Sequence, residues 1–68
     1  MTMLRIEIER ESDGRWLGEI AELPGVMAYG ETQDAAVRKA KSIALQVLAD
    51  MVASGTNVPE PLKALFAA

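Results

Sequence analysis

The chain has 68 residues, half of them apolar and a quarter charged, with a net charge of −3 and a pI near 4.7. That is enough for one domain, too apolar for a disordered segment, and opposite in charge to the basic footprint that neutralises nucleic-acid phosphates. Cysteine and histidine are both absent, which excludes disulfides, a cysteine nucleophile, the usual proton shuttle near neutrality and most zinc sites.

Residues 3–9 alternate, with Leu4, Ile6 and Ile8 on one side and Arg5, Glu7 and Glu9 on the other. This is the period of a half-buried strand. Glu11-Ser12-Asp13-Gly14 follows, a polar cluster ending in Asp-Gly, which predicts a chain reversal. Residues 15–21 form a second extended run, with Trp16, Gly18 and Ile20 on one face and Leu17, Glu19 and Ala21 on the other. Glu22-Leu23-Pro24-Gly25 then predicts a type II turn, because proline presets φ and the glycine after it accepts the left-handed position. Residues 26–30 make a short third strand.

Thr32 is the expected N-cap of a helix, and Asp34 in its first turn complements the helix dipole. Val37, Ala40, Ala44, Val47, Leu48 and Met51 give an apolar stripe, opposite a row of Asp34, Arg38, Ser42, Gln46 and Asp50. Leu45 falls close to that polar row, which hints at contact with another chain. The helix is expected to run to about Ser54, with Gly55 ending it in the left-handed conformation and Pro59 and Pro61 preventing resumption. Residues 62–68 read equally as a helical turn or a short strand. The order predicts an α+β fold of two layers, an antiparallel sheet of three to four strands with one helix on one face. Its other face would carry Arg5, Glu7, Leu17 or Trp16, Met27 and Tyr29.

No run of about 18 apolar residues exists, and the first ten residues are too charged for a signal peptide, so the chain reads as cytoplasmic with no membrane partner. A core of this size supplies about 3–5 kcal/mol, so oligomerisation to a homodimer or homotetramer is the expected reinforcement. The pattern points away from catalysis. Glu7 and Glu9 share a strand face and could in principle share a metal or a proton, but a solvated face beside Arg5 is the plainer reading. No glycine-rich phosphate loop leads into a helix. The residues therefore imply no catalytic site, no metal and no cofactor. Trp16, beside the hairpin, and Met27 and Tyr29, on alternate positions of the third strand, are either core and sheet packing or anchors for a protein partner.

Read together, Asp13-Gly14-Arg15-Trp16-Leu17-Gly18-Glu19-Ile20, Glu22-Leu23-Pro24-Gly25-Val26 and Tyr29-Gly30-Glu31-Thr32, followed by an alanine-rich helix, resemble the N-terminal domain of HicB antitoxins. The resemblance covers roughly residues 4–66, and its most recognisable parts are the Glu-Leu-Pro-Gly turn and the Gly-Glu-Thr helix start. It implies a β-β-β-α-β domain of partial ribonuclease H-like fold, which favours a fourth strand in the tail. It also implies a role as an antitoxin that masks HicA, a small RNA-cleaving toxin with a double-stranded-RNA-binding-like fold. The expected partner surface is Trp16, Glu22, Leu23, Pro24, Gly25, Met27 and Tyr29. Two departures stand out: the C-terminal operator-binding domain usual in the family does not follow, and Ala35 stands where glutamate would complete a capping box with Thr32. The first puts autorepression and direct nucleic-acid binding in doubt. The alternative expectation is a solitary homo-oligomeric HicB-like protein without a toxin partner.

Overall fold

The computed structural model describes residues 4–59 and Lys63. Three strands, β1 (Ile6–Arg10), β2 (Trp16–Ile20) and β3 (Met27–Gly30), form an antiparallel sheet in the order β1-β2-β3, followed by one helix, α1 (Gln33–Ser54). The predicted two-layer α+β architecture is the one observed among the described residues.

Each turn has a local cause. In the first hairpin the Gly14 N–H donates to the Glu11 carbonyl at 3.0 Å, and Gly14 takes φ +92°. This is a type I turn closed by a left-handed glycine, with a three-residue loop. In the second, Pro24 and Gly25 occupy the central positions of a type II turn. The Val26 N–H donates to the Leu23 carbonyl at 3.0 Å, and Gly25 has φ +88°.

Flanking hydrogen bonds fix the phase of the sheet. The Ala21 N–H donates to the Arg5 carbonyl and the Glu11 N–H to the Arg15 carbonyl. In an antiparallel ladder the bonds alternate, so Glu7 and Glu9 turn their backbone groups toward β2, whereas Ile6, Ile8 and Arg10 turn theirs outward.

The helix begins where Thr32 Oγ1 accepts the Ala35 N–H at 3.0 Å and ends at Gly55, whose φ is +79°. Its buried row is Ala36, Ala40, Ala44 and Leu48, starting one residue earlier than the expected stripe, with Val37 only half-buried. The shift follows from the small residues beneath it. A Cβ placed on Gly30 would lie 2.5 Å from the Ala36 nitrogen, and one on Gly18 would lie 3.0 Å from the Ala36 carbonyl oxygen. Gly30 is therefore more than a joint between strand and helix: it lets α1 descend onto the sheet. Ile20, Leu23, Val26 and Ala28 pack with Ala40, Ala44 and Leu48 to form the core, flanked by Leu4, Ile6, Ile43, Val47 and Met51.

The helix lies mainly over β2 and β3 and only lightly over β1. The strand-or-helix question at residues 62–68 lies outside the described residues apart from Lys63, which is helical and donates its N–H to the Pro59 carbonyl at 3.3 Å.

Candidate functional site

With one helix on one side, the opposite face of the sheet is left without a covering layer among the described residues. Strand alternation decides what it displays. Leu17 stands opposite Glu9 on β1 and Tyr29 on β3, and Glu19 stands opposite Glu7 and Met27. Two rows of three side chains result, Glu9-Leu17-Tyr29 and Glu7-Glu19-Met27: β1 contributes two glutamates, β3 contributes Met27 and Tyr29, and the central β2 adds one residue of each kind, so the face is acidic toward β1 and apolar toward β3.

The apolar side is held in shape by charge. The Arg15 guanidinium carbon sits 4.3 Å from the centre of the Tyr29 ring, a cation–π distance. Asp13 holds the same arginine, accepting its Nε–H at 2.7 Å and its backbone N–H at 3.0 Å. These two hydrogen bonds, the backbone one first, lower the Asp13 carboxyl below its ordinary value, and the Asp13 carboxylate raises Arg15. The Tyr29 hydroxyl points to Glu11 Oε1 at 3.5 Å, at the outer limit of a hydrogen bond. Met27 and Tyr29 are each 40% exposed, so a partner can bury more of both.

On the acidic side the glutamates have no ion-pair partner among the described residues. The ion pairs among the described residues are Arg5–Glu22, Arg15–Asp13 and Arg38–Asp34, and none reaches Glu7, Glu9 or Glu19. Glu7 and Glu19 face each other directly across the strands, a like-charge arrangement that costs stability. Glu7, Glu9 and Glu19 line a shallow depression of about 250 Å3 with Ile8 and Leu17. Among the described residues no group of three acidic side chains is arranged to hold a metal ion.

The residues singled out from the sequence do not form one patch. Met27 and Tyr29 share the outer face. Trp16 has the parity of Gly18 and Ile20 and lies on the helix side, half-buried, paired with Gly30 and with Arg10 above its ring at 5.7 Å. The open choice between Leu17 and Trp16 for the outer face resolves to Leu17.

In the turn, Leu23 is only 5% exposed and belongs to the core, while Pro24 and Gly25 are exposed. Glu22 accepts the Arg5 backbone N–H at 2.9 Å and its Nε–H at 3.0 Å. The backbone bond, then the side-chain bond, lowers the Glu22 carboxyl below its ordinary value. Glu22 thus ties the second turn to the start of β1, so its carboxylate is already engaged. Sequence reasoning, which left Leu17 open against Trp16, missed Glu19 and Arg15 as members of the outer face. Cross-strand register would have found them once the turn lengths were fixed, because a three-residue loop sets which residues oppose each other.

No helix among the described residues is long and apolar enough to cross a membrane. Comparison with family models, with curated proteins and with solved structures gives no match to this chain.

Proposed function

We propose that this chain is an antitoxin-like protein-binding module, resembling the N-terminal domain of HicB antitoxins, that neutralises a HicA-like RNA-cleaving toxin by masking it. The observation that carries the reading is the outer face of the sheet, which no described element covers: part of it is apolar and aromatic, and part is acidic, with glutamates that have no ion-pair partner among the described residues. A surface that cleaves RNA must itself attract phosphates and is therefore basic. Glu7, Glu9 and Glu19 would draw such a surface in, and Leu17, Met27 and Tyr29 would supply the area to be buried. The role needs binding only, and the module is assigned no catalytic residue, cofactor or metal. Pro24 and Gly25 extend the contact surface at the second turn, while Leu23 supports it from within.

The test is to purify a HicA-like toxin encoded by a neighbouring reading frame, mix it with this chain and follow cleavage of a labelled RNA. Suppression that saturates at a fixed molar ratio supports the role. Undiminished cleavage with excess chain contradicts it.

The solitary homo-oligomer is the second reading, and one observation favours it. Leu45 is 67% exposed and Val52 is 60% exposed on α1, apolar area that a second copy would cover.

A further inference from the structure

The first hairpin carries the one Asp-Gly step of the sequence, Asp13-Gly14, and no Asn-Gly step occurs. That pair has a chemistry of its own. The Gly14 backbone nitrogen can close a succinimide ring on the Asp13 side-chain carboxyl carbon, and glycine, lacking a Cβ, hinders the attack least. Ring closure releases one water, made from the acid hydroxyl and the Gly14 amide proton. A second water then opens the ring. Addition at the side-chain carbonyl restores aspartate, and addition at the main-chain carbonyl gives isoaspartate, in which the chain runs through the former side-chain carbonyl and is one carbon longer.

The folded hairpin opposes each requirement of this reaction. The Gly14 N–H is engaged by the Glu11 carbonyl at 3.0 Å. Both carboxyl oxygens are held by Arg15: Oδ1 accepts its backbone N–H at 3.0 Å and Oδ2 accepts its Nε–H at 2.7 Å. These bonds favour the ionised carboxylate, which is a poor electrophile and has no hydroxyl to lose. Arg15 is itself steadied by the Tyr29 ring, whose centre lies 4.3 Å from the guanidinium carbon. Packing adds nothing. No atom lies within 4 Å of the place a Gly14 Cβ would occupy, and the Asp13 side chain is 52% exposed. The hydrogen bonds of the turn are the protection.

We propose that Asp13 is a site of spontaneous isoaspartate formation that the folded hairpin holds shut, with Arg15 as the residue that guards it. The reaction then proceeds from molecules in which the turn has opened, so its rate follows that opening. Conversion has a consequence for the outer face of the sheet. Lengthening the main chain at Asp13 breaks the bonds that aim Arg15 at Tyr29, and the guanidinium leaves the ring. This inference does not rest on the antitoxin reading, since it concerns the hairpin alone.

The experiment ages the full chain in heavy-oxygen water at mildly acidic pH, beside a capped peptide of residues 9–17. Isoaspartate is then separated by chromatography of proteolytic fragments and located by mass spectrometry, each passage through the ring bringing in one solvent oxygen. The peptide is expected to convert at Asp13 about tenfold or more faster than the folded chain, and urea should bring the full chain to the rate of the peptide. Asp34 and Asp50, which precede alanine and methionine, serve as internal controls and should stay unconverted. Arg15→Gln should speed conversion of the folded chain about threefold or more, and leave the rate of a peptide with the same substitution nearly unchanged.

The Arg15 side chain is 46% exposed, and an unchanged circular dichroism spectrum establishes that the variant folds. The comparison of parent, urea and peptide needs no variant and decides the protection by the hairpin separately. In the aged chain, nuclear magnetic resonance should show the Arg15 side-chain protons losing the upfield shift that the Tyr29 ring gives them. Equal rates in peptide and folded chain, or no conversion in either, overturn the proposal. A folded Arg15→Gln chain that converts no faster than the parent overturns the guarding role, and isoaspartate at Asp13 with Arg15 still over Tyr29 overturns the consequence.

Discussion

Gly30 shows how one missing side chain decides the approach of a helix to a sheet. A Cβ there would lie 2.5 Å from the Ala36 nitrogen and 2.9 Å from the Ala35 carbonyl carbon, both backbone atoms that move only if the helix start moves. Gly30→Ala is therefore expected to lower stability by about 1–3 kcal/mol through overpacking, and more than Gly18→Ala, whose closest contact is 3.0 Å. Urea denaturation of the two variants checks the order, and equal stability would show that α1 lifts freely. The two bonded carboxylates make a different residue-scale prediction. Asp13 and Glu22 titrate below their ordinary values of 3.8 and 4.5 because each accepts a backbone and a side-chain hydrogen bond from an arginine. Their stabilisation is complete above those values and is lost as pH falls past them through the lower folded values. Both ion pairs are exposed to solvent, so the effect is modest. In melting temperatures measured from neutral to acid pH, Glu22→Gln should melt lower than the parent above about pH 5 and converge with it in acid. Parallel curves would contradict the assignment.

At the scale of elements, α1 depends on its cap more than on its sequence pattern alone. Thr32 Oγ1 satisfies the Ala35 N–H, one of the four donors that a helix start leaves without a partner, and Ala35 cannot return the bond as glutamate would. Thr32→Ala should cost about 1 kcal/mol, while Thr32→Ser should cost much less, as read by thermal unfolding. Equal losses would place the role of Thr32 in its methyl group. Strand alternation, the Asp-Gly hairpin, the Pro-Gly turn, the threonine cap and the Gly55 stop were all legible because each is written within a few neighbouring residues. The placement of α1 over β2 and β3 was not, because periodicity gives the buried stripe of a helix but not the strands beneath it. The outer face was half legible. Met27 and Tyr29 follow from alternation within one strand, whereas Leu17 and Glu19 join them only through register, and the Arg5–Glu22 link spans 17 positions that no local pattern connects. The parity of Trp16 was correctly read, but which parity faces the helix depends on Gly18 and Gly30 together.

For the whole molecule, the question is how a domain whose described residues place α1 on a three-stranded sheet offsets its small core. Alanines form most of the buried helix row, so that row contributes little apolar area per residue. Association is the available supplement, and light scattering at micromolar concentration is expected to give a dimer or tetramer rather than a monomer. A monomer alone would contradict that expectation and leave Leu45 and Val52 for other partners. The net charge of −3 gives a further whole-molecule constraint, setting the chain against phosphates and toward cationic proteins. The central claim is that the outer face of the sheet, rather than the exposed side of α1, carries partner binding. Calorimetric titration of a HicA-like toxin with folded Tyr29→Ala, compared with Lys41→Ala and Gln46→Ala on the helix, tests it most directly. A buried aromatic anchor is worth about 2 kcal/mol or more on truncation, so the tyrosine variant should bind roughly thirtyfold more weakly than either helix variant. Helix substitutions as damaging as the tyrosine change would contradict the account and move the interface off the sheet.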